Sequence, residues 1–111
     1  MQIEHADKGT HVVIRLSGSL SNEFVESAHK EIRRFLDGTP RDIIVDMGDV
    51  NFLCSAALGL LFSSLNEAKE SGRRFSVCCV RDDIRELFVI TGVDRHLPVF
   101  DSIEEAEKVL A

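Results

Sequence analysis

The residue best placed to do chemistry in this chain is Ser55. It lies within Asp46-Met47-Gly48-Asp49-Val50-Asn51-Phe52-Leu53-Cys54-Ser55-Ala56-Ala57-Leu58-Gly59-Leu60-Leu61, which reads as a strand end, a loop from Met47 to Leu53 and the start of a helix. Ala56, Ala57 and Gly59 leave little side-chain bulk around the first helical turn, so another molecule's surface can come close to the backbone. At a helix start the N–H groups point outward and the dipole favours negative charge. A phosphate of roughly −1.5 to −2 on Ser55 is accommodated there without melting the helix. Two readings stay open on residue chemistry alone: a modifiable switch, or an N-cap serine ahead of a closely packed helix.

Cys54 offers a different chemistry. A thiol near a helix N-terminus can have a lowered pKa and act as a redox sensor or nucleophile. No base is paired with it in the sequence, and its neighbours Leu53 and Ala56 are apolar, which fits a small filler better. In Val77-Cys78-Cys79-Val80, alternate residues of a core strand point to opposite faces, so this pair reads as structural thiols rather than a metal or redox site. The histidines His5, His11, His29 and His96 are scattered, and there is no Cys-x-x-Cys. Neither a metal nor any other cofactor is expected. Asp46 and Asp49 read as solvent-facing turn formers, and the pairs Arg33-Arg34, Arg73-Arg74 and Arg81 with Arg85 as solvated faces. Without a Gly-x-Gly-x-x-Gly, a Walker loop or a Gly-x-Ser-x-Gly, the chain is not expected to be an enzyme.

Composition narrows the partners. Thirteen Lys and Arg against 19 Asp and Glu give a net charge of −6, a field that repels nucleic-acid phosphates and anionic lipid. No apolar run approaches the ~18 residues of a membrane span, so no membrane insertion is expected. The first residues lack the basic flank and apolar run of a secretory signal, and the cysteines form no disulfide framework. A cytoplasmic protein with free thiols is expected.

The elements that position Ser55 follow from periodicity. Gln2 to Ala6 and His11 to Ser17 form an opening hairpin around Asp7-Lys8-Gly9. Phe24, Val25, Ala28, Ile32, Phe35 and Leu36 recur at helical spacing, with Ser21 or Asn22 as cap and Gly38 and Pro40 ending the helix. Ile43-Ile44-Val45 is a strand covered on both faces. The second helix carries a stripe of Leu58, Leu61, Phe62, Leu65 and Ala68, with Gly72 just beyond its end. Phe75 to Val80 is another buried strand. The third helix opens near Asp83, with Glu86 completing a capping box, and stops at Thr91-Gly92-Val93. Val99-Phe100 is a short strand, and Ser102 with Glu105 caps a terminal helix through Ile103, Ala106, Val109 and Leu110. The chain is thus a single α/β domain over residues 1–111, a sandwich of a mixed, mostly parallel sheet with an opening β-hairpin and about four helices.

The run from Val50 to Leu61, continuing through Ala68-Lys69-Glu70-Ser71-Gly72-Arg73 and Leu87-Phe88-Val89-Ile90-Thr91-Gly92-Val93-Asp94, resembles the STAS domain of bacterial anti-sigma-factor antagonists. The hairpin ending Leu16-Ser17-Gly18 extends the resemblance over nearly the whole chain. The family's pattern around its phosphorylated serine is approximately Asp-Ser-Ser-Gly-Leu-Gly, and Cys54-Ser55-Ala56-Ala57-Leu58-Gly59 matches it here. Cys54 stands in place of the family's acid, and Ser21 where an aspartate is usual. The resemblance implies that Ser55 is phosphorylated and that Ser21, Asn22, Leu53, Cys54, Ser55, Ala56, Ala57 and Gly59 bind the partner. It implies an anti-sigma factor that is also a serine kinase of the histidine-kinase-like ATPase class, a sigma factor released on binding, and a serine phosphatase that restores the dephosphorylated form. A scaffold or subunit of another signalling or lipid-transport complex is the alternative that keeps the fold.

Overall fold

The computed structural model describes residues 2–38 and 41–110. Five strands form one sheet in the order β1 (Gln2–Asp7), β2 (His11–Leu20), β3 (Asp42–Leu53), β4 (Phe75–Cys78) and β5 (Val99–Phe100). β1 runs antiparallel to β2, and every other pairing is parallel. The parallel strands are joined by helices α1 (Asn22–Gly38), α2 (Ser55–Glu70) and α3 (Asp82–Thr91), and α4 (Ile103–Leu110) follows β5. The fold is the mixed α/β sandwich expected from the sequence. Pro40, expected to help end the first helix, lies outside the described residues.

The hairpin turns where Gly9 adopts φ +90° and donates its N–H to Asp7 Oδ1 at 2.9 Å. A β-carbon is disfavoured at that φ, which is the reason for glycine there. Along β2, Val12, Ile14 and Leu16 enter the larger core with Ile43, Val45, Phe75 and Val77. Val13, Ile44 and Cys78 face the other way and are covered by Ala106, with Ile103 and Leu110 beside it on α4. The sheet is therefore buried on both sides at its centre, as the unbroken apolar run Ile43-Ile44-Val45 predicts. His11 Nε2 lies 2.7 Å from Glu107 Oε2 and ties β2 to α4. Among the described residues, no helix is long and apolar enough to cross a membrane.

Four local expectations change. Met47 to Leu53 is strand rather than loop, because β2 runs on to Leu20 and pairs with it as far as Leu20↔Leu53. The register shifts twice, so polar and apolar residues no longer alternate, and that hides a strand from a period-2 reading. On α2 the buried residues are Ala57, Leu60, Leu61, Ser64, Leu65 and Ala68, while Leu58 and Phe62 are only half-buried. The helix is apolar around most of its circumference, so spacing alone cannot choose the inward line. The expected Asp83/Glu86 box is absent: α3 starts at Asp82 with Arg81 as N-cap, placing Asp83 inside the first turn, where its Oδ1 accepts the N–H of Ile84. Arg73 is no solvated cation; it donates to the carbonyls of Phe35 and Leu36 near the end of α1.

Two caps are as expected. Gly92 closes α3 in the left-handed conformation at φ +77°. Ser102 Oγ accepts the Glu105 N–H at 3.1 Å, and Glu105 Oε2 reaches back to the Asp101 N–H at 3.2 Å.

Candidate functional site

Ser55 is the first residue of α2 and is exposed. Cys54 holds the N-cap position in extended conformation (φ −80°, ψ 167°), and its thiol caps nothing. This closes the N-cap reading of Ser55, since its own backbone is already helical. The Cys54 carbonyl accepts the N–H of Ala57 at 3.0 Å, and the Cys54 N–H donates to Leu20 O at 3.1 Å. The first bond starts the helix; the second fixes it to the end of β2. Helix geometry leaves the Ser55 and Ala56 N–H groups without intrahelical acceptors. No acid lies in the first turn, so the helix supplies no carboxylate of its own to offset the positive end of its dipole.

The extension of β2 beside β3 brings Ser21 and the start of α1 at Asn22 to the same sheet end as Ser55. Ser19 Oγ donates to Asn51 Oδ1 at 2.9 Å across the two strand ends, and Leu20 pairs with Leu53. Asn22, Ser55, Ala56 and Gly59 are exposed, and Ser21 and Cys54 are half-buried. A β-carbon on Gly59 would meet nothing within 4 Å, so the outward side of the first turns is open. Leu53 and Ala57, expected on the partner surface, are buried in the core and support it from beneath. Cys54 packs against the same core and has no hydrogen-bonded base among the described residues, which favours the filler reading over a redox sensor.

One surface residue was not foreseen. Phe52 is 52 % exposed on the strand end leading to Ser55. A phenylalanine in a strand reads as core; here the register shift between Gly18 and Ser19 leaves both Asn51 and Phe52 outward. No sequence signal marks that bulge.

Asp46 is not the solvent-facing turn former expected. It sits within β3, is 8 % exposed, and its Oδ1 accepts the Gly48 N–H at 2.9 Å. Asp49 is exposed and pairs with Arg15 at 2.8 Å. Cys78 is fully buried, and burial, with Cys79 and Asp46 nearby, pushes its thiol pKa well up.

The STAS domain family model matches residues 2–106. The chain is 24 % identical to the anti-sigma-B factor antagonist of Staphylococcus aureus strain NCTC 8325 / PS 47 over 94 % of this chain and 96 % of that one. It is 20 % identical to the anti-sigma F factor antagonist of Paenibacillus polymyxa, over 92 % and 88 % of the two chains. The structure of the anti-sigma factor antagonist SpoIIAA in its unphosphorylated form superposes with a TM-score of 0.84 at 22 % identity, over 98 % of this chain and 96 % of that one. The mixed five-stranded sheet with its four helices matches the fold of such STAS structures, and this chain belongs to the STAS domain family.

Proposed function

We propose that the protein is a cytoplasmic anti-sigma factor antagonist that works by binding rather than by turnover. Its partner is an anti-sigma factor that is also a serine kinase of the histidine-kinase-like ATPase class, and complex formation releases a sigma factor. The observation that carries this reading is the exposure of Ser55 at the first residue of a helix whose outward side is formed by Ala56 and Gly59, within a domain whose relatives bear that name. Phosphorylation of Ser55 would place a dianion where the partner packs closely, at a cost in desolvation that weakens the complex; a serine phosphatase would reverse it. Ser21, Asn22, Cys54, Ser55, Ala56 and Gly59 form the contact surface, and Phe52 adds an apolar anchor beside them.

The test is binding of wild type, Ser55→Ala and Ser55→Asp to the captured kinase, with mass spectrometry of the phosphosite. Ser55→Ala is expected to bind and to resist phosphorylation, and Ser55→Asp to bind weakly. Equal binding by wild type and Ser55→Asp, with phosphate elsewhere or nowhere, overturns the switch. Capture of a different signalling or lipid-transport assembly instead of a kinase moves the protein to the scaffold role.

A further inference from the structure

β3 and β4 place a second set of reactive side chains on the sheet face opposite the main core. Asp46 and Cys78 are direct partners in the parallel register, so their side chains project on the same side. Cys79 would point away from them if the strand continued. It does not continue: β4 ends at Cys78, and Cys79 turns with φ +62°, the only non-glycine residue with positive φ among those described. For a residue with a β-carbon that conformation is uncommon and costs energy. The turn brings the Cys79 sulfur round, so that both Sγ atoms and a carboxylate oxygen of Asp46 lie within 4.8 Å of one another. The expectation that adjacent cysteines diverge fails at this residue.

The surroundings hold the three groups in place. Gly48 lies within the register shift between Asp46 and Asp49 of β3, and a β-carbon there would lie 3.2 Å from Asp46 Oδ1 and 3.4 Å from Cys79 Cβ. The close approach of Cys79 to Asp46 thus uses the space that glycine leaves. The Gly48 N–H occupies one lone pair of Asp46 Oδ1 and orients the carboxylate. The Cys79 N–H donates to Phe100 O at 3.1 Å. Burial raises the Cys79 thiol pKa and the Asp46 charge adds to the rise, while Cys78 and the backbone N–H of Ile103 work against it. A cleft of about 220 Å³, lined by Glu4, Val13, Arg15, Asp46 and Ile103 among others, leads from solvent to the carboxylate. Arg15 Nε is 4.0 Å from Asp46 Oδ2, but its closer ion pair, at 2.8 Å, is with Asp49.

We propose that Asp46, Cys78 and Cys79 form a binding site for a borderline-soft divalent cation of the zinc class, held by two thiolates and one carboxylate oxygen, with a fourth position facing the cleft. Around tetrahedral zinc, with bonds of about 2.0–2.3 Å, ligand atoms lie roughly 3.3–3.8 Å apart, so the three groups need close by only about 1 Å. Two sulfur ligands select against magnesium and calcium, which take oxygen. On binding, two S–H bonds break, two metal–sulfur bonds form, and two protons pass to solvent, while an Asp46 carboxylate oxygen supplies the third bond to the metal. The metal would take the place of the two thiol protons and would clamp β3, the end of β4 and the turn that follows it together. None of the three residues belongs to the Ser55 surface, so the site stands or falls independently of the proposed function.

The test titrates the reduced protein, freed of reductant, with Zn²⁺ and separately with Co²⁺. One equivalent of either metal is expected, with proton release for zinc and a sulfur-to-cobalt charge-transfer band for cobalt. Cys79→Ser changes a half-exposed residue, and its fold is checked by circular dichroism. It is expected to lose the band and weaken zinc binding by about 100-fold or more, since losing only an outer partner of a metal ligand costs about 10–100-fold. Asp46→Asn is expected to weaken it at least about tenfold, and Cys54→Ser to leave it unchanged. Absence of stoichiometric binding in wild type, an undiminished cobalt band in Cys79→Ser, or loss of the band in Cys54→Ser overturns the site.

Discussion

Ser55 and Asp46 stand nine residues apart in the chain, on the same strand–helix unit, and meet opposite environments. Ser55 is exposed at a helix start, with open space over Gly59 and no acid in the first turn. Asp46 is buried under α4, hydrogen-bonded to Gly48 and close to two thiols. The first region suits a group that must be reached by an enzyme and then read by a partner, because added charge there stays solvated until the interface closes. The second suits groups held at fixed spacing and reached from solution through a cleft rather than across an open surface. Solvation separates these roles; the residue types alone do not.

The largest expected effect contrasts the two sides of α2. Leu61 is fully buried, so Leu61→Ala should cost about 2–5 kcal/mol, through lost transfer energy and the cavity left behind. Ser55→Ala on the exposed side of the same helix should stay within about 0.5 kcal/mol. Urea denaturation of both measures the contrast, and equal midpoints would erase it. Next comes Asp46→Ala in metal-free protein. It leaves the Gly48 N–H without its acceptor and should cost roughly 1–3 kcal/mol, whereas Asp49→Ala, in an exposed ion pair, should cost about 1 kcal/mol or less.

At the exposed end, Ser55→Asp should weaken partner binding by about tenfold or more while leaving the thermal midpoint unchanged or slightly raised, because an acid in the first turn of α2 meets the positive end of the dipole and its charge becomes costly only when the interface closes over it. A mutant that lost stability and binding together would mean that Ser55 is structural. The smallest effect concerns pH. Burial raises the Cys78 thiol above its ordinary value of 9.0, with Cys79 and Asp46 adding to the rise. The native state therefore keeps that proton after the unfolded chain has released it. Metal-free stability should fall as pH rises past about 9, and Cys78→Ala should reduce the slope. In the same native protein a bulky alkylating reagent should leave Cys78 unmodified.

Much of the molecule was legible before the fold was seen, because the signals were local. The order of strands and helices follows from the change between period 2 and period 3.6, the stop of α3 from Gly92, and the start of α4 from Ser102 and Glu105 three residues apart. The match of Cys54 through Gly59 to a family pattern singled out Ser55, and small neighbours announced an approachable helix start. What tertiary structure decided was non-local. The pairing of β2 with β3 turned an expected loop into strand and pushed Phe52 outward. Leu53 and Ala57 went inward because they lie beneath the site, facing the core that β2, β3 and α2 share. Asp46 and Cys78 are 32 positions apart and become neighbours only through parallel register, and Cys79 joins them only because the backbone leaves the strand at that residue. Periodicity assigns a residue to a face while an element continues; where the element ends, tertiary packing sets the direction of the side chain.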